Sequence, residues 1–138
     1  MRYCDASALV KRYVREKGSL KVRRLLSSGT AATSRYSPIE VASALARRTR
    51  DGALSEAERD KALAALDEDM TAFVVVELTD DIVTRAQALL RRHPLRAGAA
   101  IQLASCVHLR DQLADDVSLV AFDDRLVAAA RKERVRLG

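Results

Sequence analysis

The chain has 138 residues, 49% of them apolar, and a formal net charge of +5. This length suits one domain, residues 1–138, that folds around its own core and needs no disulfide bond or structural metal ion for stability. No apolar run approaches the roughly 18 residues of a membrane span, and the N-terminus lacks the charged and apolar regions of a secretory signal. Cys4 and Cys106 lie in apolar segments without metal-type spacing, so we expect a reduced, cytoplasmic protein with no membrane partner.

The first half of the chain alternates short apolar strands with helices. Apolar residues recur at helical spacing after the first strand, and Ser37-Pro38 has the cap and first-turn proline of a helix start. The predicted segments are strands over 1–5 and 31–34, and helices over 7–16, from 19, over 37–50 and from 55. The last two helices are expected to form an antiparallel pair.

The second half continues the same alternation. The predicted segments are strands over 73–76, 119–122 and 135–137, and helices from a Thr79 cap to Pro94, over 97–113 and over 124–133. Because Phe73 to Val76 is apolar throughout, we expect that strand to be buried on both faces. The fold class is therefore α/β, a three-layer α/β/α sandwich around a mainly parallel sheet of four or five strands.

Three acids stand where a predicted strand gives way to a helix: Asp5, Glu40 and Asp123. Functional groups of parallel sheets gather at the carboxyl ends of the strands, so these side chains are expected at one edge. Carboxylates are the ligands that Mg²⁺ and Mn²⁺ prefer, and such an ion activates water for attack on phosphate esters. The pattern predicts phosphodiester hydrolysis.

Helix capping is the competing interpretation for two of these acids. Glu40 completes Ser37-x-x-Glu40, a capping box, and the same pattern occurs at Ser55-x-x-Glu58 without any chemistry attached. Asp123 is placed to cap the last helix. Asp5 is harder to explain as structural, because a carboxylate near the core is costly unless it is paired or metal-bound.

Charge is unevenly distributed along the chain. Residues 1–28 hold eight Lys or Arg against two acids, whereas residues 51–81 hold ten acids against two basic residues. A basic part that also carries acids suits a polyanionic substrate that approaches a metal ion, although solvated helix faces give the same pattern.

Four short motifs follow one another along nearly the whole chain: YCDASALVK (3–11), SRYSPIE (34–40) with Arg47 following, LRAGAAIQLA (95–104) and LVAFDDRL (119–126). In this order they resemble the PIN-domain ribonucleases, most closely the VapC toxins of toxin-antitoxin pairs. The resemblance implies a PIN-like fold, Mg²⁺ or Mn²⁺ as cofactor, and cleavage of RNA, often tRNA or rRNA. It also implies that Asp5, Glu40 and Asp123 bind metal, with Ser7 and Ser34 as supporting hydroxyls.

The chain departs from that family at Ala99, where the motif normally carries another acid. Three explanations are open: the position was changed deliberately in a toxin, the protein is a naturally weakened member, or Asp124 takes over part of the role. We expect an impaired enzyme. The alternative is a non-catalytic module that binds RNA or antitoxin.

The resemblance also implies two protein partners, a cognate antitoxin and a second copy of the chain. We expect the predicted helical pair, Ser37 to Met70, to provide much of the antitoxin contact, with Leu45, Leu63 and Leu66 as its apolar surface.

Overall fold

A computed structural model describes residues 1–114 and 116–138. It contains five strands, β1 Arg2–Cys4, β2 Ala31–Ser34, β3 Val74–Val76, β4 Ser118–Val120 and β5 Arg136–Leu137. Its helices are α1 Ala6–Tyr13, α2 Ser19–Leu26, α3 Ser37–Arg50, α4 Glu56–Met70, α5 Asp80–Arg92, α6 Ala97–Leu113 and α7 Asp124–Lys132. No helix in the described ranges is long and apolar enough to span a bilayer.

The five strands form one parallel sheet in the order β3-β2-β1-β4-β5. The chain builds outward from β1 to β3 on one side and then returns to add β4 and β5 on the other. The reversal lies between β1 and β4, where Tyr3 pairs with Leu119. Open parallel sheets bind ligands at such a switch point, just beyond the carboxyl ends of the strands.

Two hydrophobic clusters cover opposite faces of the sheet. Tyr3 and Leu119 point into the cluster formed with α5, α6 and α7, whereas the next residues, Cys4 and Val120, point into the cluster formed with α1, α3 and α4. Alternation of side chains along a strand produces this division. The predicted three-layer α/β/α sandwich with a parallel sheet is therefore confirmed.

The prediction that residues 73–76 are buried on both faces is wrong. β3 is an edge strand that pairs only with β2, and Val74 and Val75 are half-buried. A fully apolar sequence does not distinguish a central strand from an edge strand, because tertiary packing determines which strands lie next to each other in the sheet.

The helical pair α3 and α4 does form, but two of its three leucines are not open to an antitoxin. Leu45 and Leu66 are fully buried with Leu9 of α1 in one core cluster. Apolar residues at helical spacing mark the face that a helix buries, and here that face is turned inward. The expected antitoxin contact is therefore wrong for Leu45 and Leu66, whereas for the half-buried Leu63 it stays a prediction.

Candidate active site

A cleft of about 410 Å³ opens beyond the carboxyl ends of β1 and β4, where α3 and α6 begin. It is lined by Asp5, Ser7, Tyr36, Ile39, Glu40, Ser43, Arg47, Arg96, Gly98, Ala99, Gln102, Asp123 and Leu126. We call it the acidic cleft. Of the predicted site residues, it contains the three acids, Ser7 and Ala99, but neither Ser34 nor Asp124.

Asp5 lies at the base of the cleft and is only 4% exposed. Its backbone follows β1 directly, and its side chain caps α1 by accepting a hydrogen bond from the Ala8 amide at 2.9 Å. The Ser7 hydroxyl donates to the same carboxylate at 2.7 Å, and its oxygen accepts from the Phe122 amide at 2.9 Å. Ser7 therefore links Asp5 to the segment that follows β4.

Burial is the main cause that raises the pKa of Asp5 from 3.8 to about 6. The hydrogen bonds from Ser7 and Ala8 lower the pKa, and the negative charge of Glu40 raises it. Burial also raises the pKa of Glu40, against the hydrogen bond from Gln102. Two carboxylates that are costly to ionise thus share one cleft.

The capping-box interpretation of Glu40 is wrong. α3 is preceded by Tyr36, which makes no side-chain cap, and the Ser37 hydroxyl instead contacts Thr33. Glu40 accepts a hydrogen bond from the Gln102 side chain at 2.7 Å. The helix begins at Ser37, so Ser37 lies inside it and is not at the cap position.

The same Ser-x-x-Glu pattern does form a complete capping box at α4. The Ser55 hydroxyl accepts from the Glu58 amide, and the Glu58 carboxylate accepts from the Ser55 amide, both at 3.1 Å. Identical local patterns thus have different roles in the two helices.

Asp123 caps a helix and also lies in the cleft. Its side chain caps α7, accepting from the Leu126 amide at 3.0 Å, so the capping interpretation is confirmed. It is also exposed and lines the acidic cleft. A cap uses one carboxylate oxygen and leaves the other available.

Asp124 and Ser34 lie outside the acidic cleft. Asp124 lines an adjoining cavity of about 340 Å³, and Ala99 belongs to the wall that the two cavities share. Ser34 is fully buried, and its hydroxyl accepts from the Tyr36 amide at 3.0 Å, which fixes the turn into α3.

The cleft holds a donor set that suits a hard divalent cation. Asp5 and Glu40 are desolvated carboxylates, and in the described ranges neither is paired with a Lys or Arg side chain. Buried carboxylates of this kind are normally paired or bound to metal. Residues 1–114 and 116–138 contain no group of three His, Cys, Asp or Glu side chains placed to hold a metal ion. Asp5, Glu40 and Asp123 line one cleft without forming such a group. An ion bound there would therefore also take water or substrate oxygens as ligands, as Mg²⁺ commonly does.

The profile of the PIN domain matches residues 2–132. The chain belongs to the PIN-domain family. Ribonuclease VapC45 of Mycobacterium tuberculosis strain CDC 1551 is 37% identical over 136 residues, covering 98% of this chain and 92% of that protein. Ribonuclease VapC49 of strain H37Rv gives the same identity and coverage. The predicted membership among VapC-type PIN-domain ribonucleases is thereby confirmed.

Two solved structures share the fold of this PIN domain. The M. tuberculosis VapC20, a sarcin-ricin loop cleaving toxin, has a TM-score of 0.71 at 20% identity, with 94% of this chain and 95% of that one covered. A toxin-antitoxin complex from Klebsiella pneumoniae has a TM-score of 0.65 at 16% identity, with coverage of 93% and 91%.

Three further residues of the PIN-domain cleft were not singled out from the sequence. Arg96 precedes α6, Gly98 and Gln102 lie one turn apart within it, and all three line the cleft. The sequence did offer a signal, because Gln102 is a polar side chain inside the apolar run from Ala99 to Ala104. Such a residue in a buried helix requires hydrogen-bond partners, and one of the partners of Gln102 is Glu40.

Proposed function

We propose that this protein is a metal-dependent endoribonuclease toxin that hydrolyses RNA phosphodiester bonds in the acidic cleft. One observation carries the proposal: Asp5, Glu40 and Asp123, from three separate parts of the chain, line one cleft together with Arg47 and Arg96. Desolvated carboxylates provide for a cation, and the arginines provide for phosphate. The family membership and the two VapC relatives support the same activity.

Asp5, Glu40 and Asp123 are the proposed ligands of Mg²⁺ or Mn²⁺. When bound, such an ion acidifies a water molecule and neutralises negative charge that develops on the phosphate. Ser7 and the Ala8 amide hold the Asp5 carboxylate in one orientation, and Gln102 holds that of Glu40. The protein thus supplies carboxylate oxygens in fixed positions. Burial disfavours the ionised form of Asp5 and Glu40, and a bound cation would offset this cost.

Arg47 and Arg96 are proposed to bind the RNA backbone. Both line the cleft, and neither makes an ion pair with the described residues. Their charge remains available, in contrast to the basic residues of α1, where Lys11 pairs with Glu16 and Arg12 with Asp69. Part of the N-terminal basic charge therefore stabilises the fold, and the arginines of the cleft are better placed for phosphate.

Ala99 is proposed to impair this activity. It lies in the cleft wall at the position where the family motif carries an acid, and Asp124 faces the adjoining cavity. The same observation favours a second candidate function, a non-catalytic PIN-like module that binds RNA or antitoxin.

An antitoxin protein is the expected partner of a VapC-type toxin. We further propose a homodimer, because Val83 and Leu90 lie two turns apart on α5 and leave an exposed apolar stripe.

We propose tRNA or rRNA as the substrate class. We propose the cytoplasm as the site of action, because Cys4 and Cys106 are free and buried, as expected in a reducing compartment. Residues 1–138 are proposed to act as one domain, since both core clusters share one sheet.

The decisive experiment compares the chain as it stands with Ala99→Asp and Asp5→Asn on structured RNA. Each is incubated with Mn²⁺, with Mg²⁺ and with a chelator, and cleavage is read on a denaturing gel. We expect chelator-sensitive cleavage that Ala99→Asp strengthens and Asp5→Asn abolishes. If Ala99→Asp cleaves no RNA but still binds it, the non-catalytic module is the correct function.

A further inference from the structure

Gln102 has all its polar atoms engaged at the back of the acidic cleft. The side chain is 1% exposed. Its Oε1 accepts from the Tyr3 hydroxyl at 2.7 Å, and its Nε2 donates to Glu40 Oε1 at 2.7 Å and to Ser37 Oγ at 2.9 Å. Because an ionised carboxylate only accepts, Nε2 must face Glu40, and this requirement fixes the orientation of the amide.

The partners of Gln102 are themselves fixed by the central strands. The Thr33 hydroxyl donates to the Cys4 carbonyl at 2.6 Å, which uses its only proton. The Ser37 hydroxyl must therefore donate to Thr33 across their 2.7 Å contact, and its oxygen remains to accept from Gln102. Each proton in this buried network has one place, so the amide cannot rotate away from Glu40 without leaving polar groups unpaired.

The other side of the Glu40 carboxylate lies against Gly98, one turn before Gln102 on α6. A Cβ atom at Gly98 would stand 2.9 Å from Glu40 Oε2 and 3.2 Å from its carboxyl carbon. A side chain added at Gly98 would therefore displace the Glu40 carboxylate from its present position. The bare backbone at Gly98 leaves the carboxylate in the place where Gln102 binds it.

We propose that Gln102 is a positioning residue that fixes the Glu40 carboxylate for a divalent cation, binding one oxygen and leaving the other free for the ion. This inference rests on the proposed function, in which Glu40 is a metal ligand. A neutral amide suits the role, because Lys at this position would neutralise Glu40 and an acid would repel it. Groups that orient metal ligands in this way commonly contribute tenfold to a hundredfold in metal affinity.

The test measures Mn²⁺ affinity from the electron paramagnetic resonance signal of free Mn²⁺, in two parent chains, the one with Ala99 and Ala99→Asp. Gln102→Met keeps the side-chain volume and removes the hydrogen bonds. Gln112→Met is its matched control, the same substitution at an exposed position of the same helix. We expect about tenfold weaker Mn²⁺ binding for Gln102→Met or Gly98→Ala, and no change for Gln112→Met.

A purely structural role of Gln102 predicts a different result. In that case Gln102→Met would have a lower midpoint of urea unfolding in chelator, but its Mn²⁺ affinity would stay within about twofold of that of the parent. This result would overturn the inference. If neither the chain with Ala99 nor Ala99→Asp binds Mn²⁺, the proposed function fails and this inference fails with it.

A second measurement needs no substitution at Gln102, so it tests the inference even if Gln102→Met does not fold. In ¹H–¹⁵N spectra of the unsubstituted chain, we expect the side-chain amide signals of Gln102 to shift with Mg²⁺ concentration along the same curve as metal binding. The corresponding signals of Gln112 should stay in place. Mg²⁺ binding without any shift at Gln102 would overturn the inference.

Discussion

Replacing Ala99 with Asp tests directly whether this position lacks a metal ligand. Ala99 is a half-buried residue in the first turn of α6, a turn that carries no acid and has no side-chain cap. An acid near a helix N-terminus is favourable by about 0.3–1 kcal/mol. Repulsion from Asp5, Glu40 and Asp123 opposes this gain, so we expect little change in stability while a chelator is present.

The expected gain appears when metal is added. A carboxylate about 4 Å from a divalent ion has a gross attraction of order 8 kcal/mol at an effective dielectric constant near 20. If desolvation cancels about two thirds of it, roughly 2.7 kcal/mol remains, which lowers the dissociation constant about a hundredfold. At a Mg²⁺ concentration equal to the dissociation constant of the parent, Mg²⁺ stabilises the parent by about 0.4 kcal/mol and Ala99→Asp by about 2.7 kcal/mol.

Thermal unfolding followed by circular dichroism measures this difference. For a chain of this length, about 2.3 kcal/mol corresponds to a rise in Tm of roughly 7 °C that appears only with Mg²⁺. Ala97→Asp is the matched control, because it adds an acid to the same turn at an exposed position outside the acidic cleft. If Mg²⁺ raises the Tm of Ala99→Asp no more than that of Ala97→Asp, Ala99 is not a missing ligand position.

Four other predictions address single features of the fold and the cleft. Asp5→Asn should raise the free energy of unfolding in chelator at pH 7 by about 1–2 kcal/mol, because the raised pKa of about 6 means that ionised Asp5 destabilises the fold. By the same reasoning, protonated Asp5 is compatible with the fold, and its contribution to stability in chelator is lost as the pH rises from about 4 to about 6. Urea titrations across this range should show a decline in the free energy of unfolding that Asp5→Asn lacks. Ser55→Ala should cost about 1 kcal/mol by removing the cap of α4, while calorimetric titration shows unchanged Mn²⁺ binding. Arg47→Ala should reduce the slope of log binding constant against log salt concentration by about one in filter-binding assays with RNA. Arg91→Ala, at an exposed site outside the cleft, should leave this slope unchanged.

Most elements of the fold were predictable because they depend on local patterns. The helix after Thr79 begins where its cap predicted, since the hydroxyl accepts from the Ile82 amide. The strand at residues 31–34 has the predicted bounds. Its neighbours in the sheet were not predictable, because strand order depends on which helices pack on which face.

The candidate site was predictable in its residues and only partly in its geometry. The sequence placed three acids at strand and helix junctions, and all three line one cleft. It did not predict that Asp5 also caps α1, or that Glu40 is bound by Gln102 and not by its own helix start. The contact between Gln102 and Glu40 joins residues far apart in the chain, so no local spacing encodes it. The Asp5 cap is a local contact with the amide three residues on, and it was missed because Asp5 was considered only as a site residue.

The sequence by itself determined the fold class, the family and the acids that line the cleft, because hydrophobic periodicity and motif order are properties of the chain. The tertiary structure decided how each acid is used. Ser37 and Glu40 form the same local pattern as Ser55 and Glu58, yet only the second pair caps a helix. The difference arises because α6 lies beside the first pair and brings Gln102 within 2.7 Å of Glu40, whereas the second pair faces solvent.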